Sequence, residues 1–328
     1  MFLTIMKILR IVSAMFATTT ALFGQNLSNI PASFVDIGFG ARPAALGGAY
    51  VALSNDVNSV LWNPAGMASM KKSQASFSYT NQLGLFAYKS FAAVVPFTGN
   101  AVGIAVVSSG DQALQELTVQ ASYAHLIQQK WNVGITAKYR MASFGNNTVS
   151  ESEYLLFEPD EISEAFSNQV QGSSAGFGFD VGMQFLMSQA VSFGVMLKDV
   201  YAPMNWNSSV RSTTVKAKGK YIESLPPEMA VGTALRILEN ISLTADYHPA
   251  LNTTTRSALH SGMEIRFLKL LSLRGGMQQV FATDAAAKYT MGMGIDYAVD
   301  TYFRIFVDYT YMSEFLANTQ RLSVGMEF

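Results

Sequence analysis

The chain ends with the ten residues Thr319-Gln320-Arg321-Leu322-Ser323-Val324-Gly325-Met326-Glu327-Phe328. Here leucine, valine, methionine and phenylalanine alternate with arginine, serine, glycine and glutamate. Successive side chains of a β-strand point to opposite faces, so the segment has the pattern of a strand with one apolar and one polar face. The pattern returns about every 10 to 15 residues through most of the chain, which is typical of a transmembrane β-barrel.

The composition agrees with a membrane location. The 328 residues are 49% hydrophobic and only 14% charged, whereas soluble domains average roughly 25% charged residues. The 22 basic and 23 acidic residues nearly cancel, so nothing indicates a nucleic-acid partner. The chain has no cysteine, which excludes disulfides, thiolate metal sites and cysteine nucleophiles.

The first residues predict an export signal. Lys7 and Arg10 form a basic start, and the apolar run 11–23 follows. This run is too short for a spanning helix, which needs about 20 apolar residues. Cleavage is expected after Gly24, with cleavage after Ala21 as the alternative. No later segment reaches the length of a spanning helix, so membrane insertion would be by strands.

The alternation predicts about 14 strands, an even number as bacterial outer-membrane barrels require. The expected strands are 75–80, 88–97, 100–108, 116–126, 131–143, 176–187, 191–201, 228–238, 241–248, 257–267, 270–278, 287–297, 301–312 and 319–328. Short and long connections alternate, and the longest are 144–175 and 202–227. Both ends of the barrel are then expected on the side of the short periplasmic turns. The acidic loop 144–175 is interpreted as a solvated loop or as a contact for cargo.

Charged residues inside the expected strands share the face of the small polar residues. Twelve that do so are Lys138, Arg140, Asp180, Lys198, Arg236, Asp246, Glu264, Arg266, Arg274, Asp296, Arg304 and Asp308. A lysine or arginine that faces lipid at the midplane costs about 2–4 kcal/mol, so this sorting favours a barrel with a charged lumen. A soluble sandwich or propeller would also alternate, but it explains neither the export signal nor so many large apolar residues. The mixed signs indicate ion pairs around a filled lumen.

Residues 25–74 lack the two-residue alternation. Small residues after Pro43 predict a helix, and Asn55-Asp56 predicts the cap of a second helix that ends at Leu61. Glycines on the inward face leave room for this segment inside the barrel. The expected division is a signal peptide at 1–24, a lumenal plug at 25–74 and an outer-membrane barrel at 75–328.

The block from Gly40 to Ala68 reads GARPAALGGAYVALSNDVNSVLWNPAGMA. It resembles the start of the PorV/PorQ-like branch of the FadL-type outer-membrane proteins, over about a tenth of the chain. The residues that match the pattern of this family are Arg42, Gly47, Gly48, Asp56, Asn63, Pro64, Ala65 and Gly66. The resemblance implies that Arg42 anchors the plug and that Asn63 to Gly66 form its turn.

The resemblance also implies a location and a function. It places a 14-stranded barrel with a short helical plug in the outer membrane of a Gram-negative-type bacterium. PorV-like and PorQ-like members act in type IX secretion, where PorV-like members bind the carboxy-terminal signal domains of exported proteins. The implied function is therefore non-catalytic, in protein secretion or surface cargo docking. The alternative is the FadL-like function, passive transport of hydrophobic small molecules.

The expected partners follow from these functions: outer-membrane lipid, the barrel-assembly machinery, and secreted cargo proteins or hydrophobic small molecules. In the final strand, Leu322, Val324, Met326 and Phe328 match the apolar positions of the outer-membrane assembly signal. A plug that only stabilises the barrel and a movable hatch that gates passage both stay open.

The sequence predicts no enzyme, no cofactor and no metal. The three histidines, His125, His248 and His260, lack metal-ligand spacing. The chain has no nucleophile elbow, phosphate loop or zinc motif.

Overall fold

A computed structural model describes residues 38–82, 86–110, 114–145, 169–211, 218–252, 255–268, 270–282, 285–314 and 317–328. The expected export signal lies outside the described residues, as does most of the acidic loop 144–175. None of the helices in the described part is both long and apolar enough to cross a membrane.

The described residues form sixteen antiparallel strands in one sheet. They are β1 (Gln74–Gln82), β2 (Phe86–Phe97), β3 (Asn100–Gly110), β4 (Leu114–Ile127), β5 (Trp131–Phe144), β6 (Gln169–Leu186), β7 (Val191–Tyr201), β8 (Pro203–Arg211), β9 (Lys218–Ser224), β10 (Glu228–Leu238), β11 (Ile241–His248), β12 (Ala258–Phe267), β13 (Leu271–Val280), β14 (Lys288–Ala298), β15 (Arg304–Ser313) and β16 (Thr319–Glu327). β1 pairs with both β2 and β16, and β5 pairs with β6, so the sheet closes on itself.

The sixteen segments make a closed barrel of fourteen wall strands. β7 pairs with the second half of β6, and β8 pairs with its first half, so β7 and β8 follow one another along the same neighbour. β10 pairs with β7 and β9 pairs with β8, so these two also form one interrupted wall strand. The predicted fold class, an all-β antiparallel barrel of 14 strands with a helical amino-terminal segment, is confirmed.

Three of the expected boundaries are wrong. The strand expected at 176–187 begins at Gln169, so the end of the expected connection 144–175 belongs to β6. Residues 202–227 are expected to be a connection, but they contain β8 and β9. In β8 the apolar Met204 and Trp206 face inward, and Asn205 and Asn207 lie on the outer face. A lipid-facing strand has the opposite pattern, with apolar residues outside. Strand β15 begins at Arg304, whereas the expected strand begins at residue 301.

The turn before β15 has its own cap. The Asp300 carboxylate accepts hydrogen bonds from the backbone N–H groups of Tyr302 and Phe303, at 2.6 and 2.8 Å. These hydrogen bonds hold the pKa of Asp300 below its usual value. A capped turn therefore occupies the positions that alternation assigned to the strand.

The outer surface of the barrel carries the large apolar side chains. Phe77, Ile135 and Phe177 are among those exposed on it. The alternating members of the last strand, Leu322, Val324, Met326 and Phe328, also point outward and are exposed. Their neighbours Arg321 and Ser323 are buried on the lumen side. The outer surface is thus the apolar band that a bilayer would cover.

The described part of the amino-terminal segment, which begins at residue 38, lies inside the barrel. It contains the helices α1 (Ala41–Ala45) and α2 (Ser59–Trp62) and one 3-10 helix (Pro64–Ser69). The first helix begins at Ala41, before Pro43 and not after it. It ends at Ala45 because Gly47 and Gly48 adopt φ values of 66° and 75°, which turn the chain away. The second helix begins at Ser59, because the carboxylate of Asp56 accepts the N–H of Asn58 and forms a turn before the helix.

The apolar core of the molecule lies between the plug and the wall. Val57, Val60 and Met67 of the plug are fully or almost fully buried against small wall residues. The wall contributes Ala92, Val94, Ala101, Ala105 and Ala124, from β2, β3 and β4. Burial of one such large side chain contributes about 1.5–3 kcal/mol, so the plug is part of the folded core.

Wall glycines allow the plug backbone to approach closely. A Cβ on any of them would overlap plug atoms: these are Gly103, Gly134, Gly182, Gly194, Gly262, Gly276 and Gly292. At Gly276 the overlap would be with the backbone of Leu46 and Gly47, which cannot move without displacing α1. The adjacent Gly275 points outward, and a Cβ there would touch only the carbonyl oxygen of Thr290 at 3.9 Å.

Substitution of Gly276 by valine tests this fit. Overpacking of this kind costs about 1–3 kcal/mol, so we expect Gly276→Val to lower the unfolding midpoint of the refolded barrel and to expose the plug to protease. The matched control is Gly275→Val, which adds the same side chain one position away on the outer face. Equal effects of the two substitutions would contradict a tightly fitted plug.

Candidate functional site

Arg42 is the central contact of the plug. Its Nε lies 2.9 Å from Oε2 of Glu264 on β12, and its Nη1 lies 2.8 Å from Oδ2 of Asp56. The same Nη1 donates to the hydroxyl of Tyr50 and to Oδ1 of Asn55, both at 3.0 Å. One guanidinium group therefore holds three parts of the plug together and ties them to the wall.

The charges continue from Glu264 into the wall. The Glu264 side chain is only 1% exposed. Its carboxylate also accepts hydrogen bonds from Nε of Arg274 at 2.7 Å and from Nη2 of Arg266 at 2.6 Å. Arg274 in turn donates to Asp308 at 2.5 Å. Buried charges are tolerated when they are paired and hydrogen-bonded. We call Arg42, Asp56, Glu264, Arg266, Arg274 and Asp308 the Arg42 cluster.

Tyr50 links this cluster to a second wall strand. Burial raises the pKa of its hydroxyl well above the usual value, an effect that the nearby Arg42 partly offsets. The phenol therefore stays protonated and accepts the hydrogen bond of Arg42. The backbone N–H groups of Tyr50 and Val51 donate to Oδ2 of Asp246 on β11, at 2.6 and 2.8 Å.

Polar side chains of many wall strands bind the plug backbone. Gln184 donates to the carbonyl of Ser54 at 2.9 Å, and Gln120 donates to the carbonyl of Val60 at 2.6 Å. Thr310 and Ser323 bind the backbone of Ala41 at the start of α1, and Thr290 donates to the carbonyl of Ala45 at its end. The backbone groups of a short irregular segment need such partners when water is excluded. The wall therefore supplies the hydrogen bonds that helices or strands supply elsewhere.

A second charged cluster lies in the lumen beside the plug. Lys138 contacts Asp180 at 2.7 Å and Asp199 at 3.4 Å, and Arg140 contacts Asp199 at 2.8 Å. These four residues form the Lys138 cluster. A cavity of about 50 Å³ separates it from Phe39 and the plug.

Asp199 reaches this cluster only through a bulge. The three residues Lys198 to Val200 of β7 lie opposite the single residue Asp180 of β6. Asp199 has φ of 52°, and its N–H donates to Oδ1 of Asp180 at 2.9 Å. Strict alternation would point Asp199 toward lipid, so it is not among the charged residues expected in the lumen. The adjacent charges Lys198-Asp199 were the available signal, because a regular strand cannot turn both inward.

The twelve charged residues expected in the lumen fall into four groups. Glu264, Arg266, Arg274 and Asp308 join the Arg42 cluster, and Lys138, Arg140 and Asp180 form the second cluster. Asp246 binds the plug backbone, and the ammonium group of Lys198 lies 5.5 Å from the ring of Trp62. The remaining three, Arg236, Asp296 and Arg304, lie toward the ends of their strands at the short turns, where Arg236 and Arg304 are exposed.

The residues of the family motif all lie in the plug. Gly47 packs on the wall, and Asn63 accepts the N–H of Ala65 at 3.2 Å while it donates to the carbonyl of Val51 at 2.8 Å. Pro64 begins the 3-10 helix that Asn63 caps. Gly66 approaches the backbone of Ser54 so closely that no Cβ would fit.

The wall is interrupted where the bulge lies. Tyr201 and Pro203 flank the break between β7 and β8, and Leu225-Pro226-Pro227 separates β9 from β10. Prolines have no N–H and cannot continue a ladder. The N–H of Leu225 donates to the carbonyl of Ala202 at 3.0 Å across the break.

The lumen is apolar at this break. Ala202, Met204 and Leu225 are buried together there, with Trp206 against them. Elsewhere the inward side chains of the strands are mostly small or polar. The break therefore combines a weakened ladder with an apolar inner surface.

His248 and His260 lie side by side in the lumen, with their rings tilted by 32°. The rings of His248 and His260 have centroids 4.2 Å apart. Across the described ranges, no group of three or more histidine, aspartate or glutamate side chains is placed to hold a metal ion.

Several solved structures have a similar barrel fold. The CymD monoaromatic hydrocarbon channel shares 12% identity, covers 90% of this chain and 98% of its own, and has a TM-score of 0.58. The Pseudomonas putida toluene transporter TodX shares 11% identity, with 94% and 98% covered and a TM-score of 0.57. A Pseudomonas aeruginosa FadL homologue shares 12%, with 94% and 99% covered and a TM-score of 0.57.

At 11–12% sequence identity, these similarities show a shared fold and nothing about function. The chain has the barrel fold of FadL-type outer-membrane channels. No protein-family model and no curated protein matches the sequence. The PorV/PorQ branch of the resemblance stays a prediction.

Neutralisation of Glu264 tests the Arg42 cluster. In Glu264→Gln, Arg42 and Arg274 lose their shared carboxylate, and loss of one partner of a buried ion pair costs about 3–5 kcal/mol. We therefore expect the free energy of unfolding to fall by this amount, as measured by urea titration of the barrel in lipid vesicles. The matched control is Glu327→Gln, whose partners Lys72 and Arg304 are exposed at the rim, at 3.5 and 3.7 Å. That substitution should cost at most about 1 kcal/mol. Similar losses in the two variants would contradict the anchoring role.

Proposed function

We propose that this chain is a passive channel for small hydrophobic molecules in the outer membrane of a Gram-negative-type bacterium. The observation that carries the proposal is the wall break at β7–β8 and β9–β10, where Ala202, Met204 and Leu225 form an apolar inner surface. A hydrophobic molecule needs an apolar path, and a sheet with missing ladder hydrogen bonds opens more easily than an intact one.

The plug makes a side exit more favourable than a straight passage. Straight passage would have to separate the Arg42 cluster and the hydrogen bonds between the wall and the plug backbone. Exit through the wall break leaves these contacts in place. The proposal therefore treats the plug as a fixed support and not as a movable hatch.

The similar structures support transport over secretion. One is described as a monoaromatic hydrocarbon channel and another as a toluene transporter. Both descriptions name small apolar aromatic molecules as what these two proteins carry. We infer the same class of substrate here from the apolar break, without assigning a particular compound.

A second candidate function is cargo docking in type IX-like secretion. Within the described ranges, β9 pairs with β8 on one edge and with no strand on the other. Its Tyr221 and Ile222 are each 67% exposed. A free edge strand can accept an extended segment of another protein by strand addition. This edge is the observation that favours secreted cargo as a partner.

A disulfide across the break tests transport. Ala202 and Leu225 continue the register of the β8–β9 pair, so Ala202→Cys with Leu225→Cys should form a disulfide under oxidation. We expect oxidation to reduce uptake of a radiolabelled monoaromatic hydrocarbon and of a long-chain fatty acid more than tenfold. Reductant should restore uptake, because it reopens the wall.

The control is a lumen-facing pair in an intact ladder. Ala234 and Thr244 lie opposite each other on β10 and β11, and both are buried. Ala234→Cys with Thr244→Cys should leave uptake unchanged in either redox state. Unaltered uptake by the oxidised 202–225 variant would overturn the side exit. Deletion of the chain that changes the secreted proteome but not uptake would favour cargo docking instead.

A further inference from the structure

The break in the wall begins at the bulge in β7. Val181 of β6 lies opposite Leu197 of β7, and the next aligned pair is Phe179 with Tyr201. Between these two pairs β7 therefore has two more residues than a regular ladder allows. β8 continues along β6 in the same displaced register. The inward and outward faces are preserved beyond the bulge, because the side-chain period of a strand is two residues.

The same bulge ends the pairing on the other side of β7. β10 begins at Glu228, which lies opposite Lys198. The described part of β10 aligns with none of the β7 residues after Lys198. The hydrogen-bonded ladder is therefore interrupted on both edges of β7 at one point, and the position of the wall break depends on what holds the bulge.

The bulge decides which way Asp199 points. Its carboxylate lies in the lumenal Lys138 cluster, but a regular ladder would place Asp199 opposite Phe179 on the outer face. Phe179 is seven residues before the end of β6 at Leu186. With a rise of about 3.3 Å per residue and a tilt of about 45°, it stands about 16 Å above that end, inside an apolar band of about 25 Å. The regular register would therefore put a carboxylate against lipid.

Asp199 has a backbone conformation that needs support from its neighbours. Its φ of 52° lies in the left-handed region, which is disfavoured for residues with a Cβ. Its N–H donates to Oδ1 of Asp180 at 2.9 Å, and its carboxylate lies 2.8 Å from Nη2 of Arg140. Lys138 bridges the two acids, at 2.7 Å from Asp180 and 3.4 Å from Asp199. Charge-assisted hydrogen bonds thus fix both the backbone and the side chain of Asp199.

The Lys138 cluster adjoins the apolar lining of the break. Gly178 lies between the two, because a Cβ added to it would be 2.7 Å from Nη1 of Arg140 and 3.6 Å from the Cβ of Ala202. Ala202 is buried in the apolar surface with Met204 and Leu225. One glycine therefore separates the ion pairs from the residue at which the break begins.

We infer that Asp199 is the positioning residue of the wall break, because its ion pairs in the Lys138 cluster hold β7 away from the regular ladder. Without the carboxylate, the ion pairs and the penalty for lipid contact are both lost. β7 then moves by two residues into the regular register, which gains the ladder hydrogen bonds that the bulge omits. The effect on register stands by itself, whereas the effect on transport rests on the proposed function.

The absence of cysteine allows the register to be measured directly. Phe179→Cys with Tyr201→Cys places two thiols opposite each other in the bulged register, and Phe177→Cys with Tyr201→Cys does so in the regular one. The mismatched pair has Cα atoms about 8 Å apart, beyond the roughly 7 Å that a disulfide spans. In the full chain in lipid vesicles, we expect the 179–201 disulfide to form at least tenfold faster than the 177–201 disulfide. Asp199→Leu should reverse this order.

Further variants separate the possible causes of a change in register. Asp199→Gly accepts the left-handed conformation but has no carboxylate, so it should raise the rate at 177–201 relative to 179–201 at least fivefold. Asp296→Leu removes a carboxylate of β14, outside the Lys138 cluster, and should retain the original order. Phe185→Cys with Phe193→Cys, a pair of β6 and β7 before the bulge, should react equally in every variant that folds.

Two results would overturn the inference. One is the original order of rates in folded Asp199→Leu. The other is the original order in Asp199→Gly beside a reversed order in Asp199→Leu, since the backbone preference of residue 199 would then explain the bulge. Uptake of a radiolabelled monoaromatic hydrocarbon is measured on the same variants. A changed register with unchanged uptake would contradict the proposed side exit and leave the positioning role of Asp199 intact, whereas a changed register with uptake reduced at least tenfold would support both.

Discussion

The hydrocarbon of a bilayer offers no hydrogen-bond partner to a peptide group, and the rest of this structure depends on that constraint. Every backbone N–H and C=O group within the membrane must therefore form a hydrogen bond to another group of the protein. Strands achieve this only when the sheet closes into a ring. A ring of fourteen wall strands encloses a lumen that its own side chains do not fill. The plug occupies that space. Its irregular backbone then needs partners of its own, and the wall supplies them through Asp246, Gln184 and Thr290.

Lipid contact explains why the barrel could be predicted from sequence. A lipid-facing position selects a large apolar residue and excludes a charge, so every membrane strand carries the same alternation. Phe177 to Phe185 and Tyr289 to Tyr297 show it clearly. β8 and β9 were missed because they extend beyond β11 and carry asparagine and lysine on their exposed faces. Outside the influence of lipid, alternation no longer separates inside from outside.

The candidate site was predictable only in part. Parity alone placed Glu264, Arg274 and Asp308 on one face, and the structure joins them to Arg42 in one cluster. Which acid meets which base depends on stagger between strands, and alternation contains no information on stagger. Asp199 shows the limit, because a local bulge reverses the face of one residue without changing the pattern around it. The ends of the plug helices could not be predicted for a similar reason: they are decided by left-handed glycines and by contact with the wall.

The seam between β1 and β16 has a consequence for the order of assembly. It joins positions near residue 77 to positions near residue 324, and the same last strand also holds the plug, where Ser323 accepts the N–H of Ala41. Contacts between such distant parts of a chain form late, after most of the polypeptide has been made. Until that moment two sheet edges are open and the plug lacks part of its support, so the nascent barrel is prone to aggregation. Closure of the barrel at the β1–β16 seam and the final packing of the plug against β16 are thus one event at the end of folding.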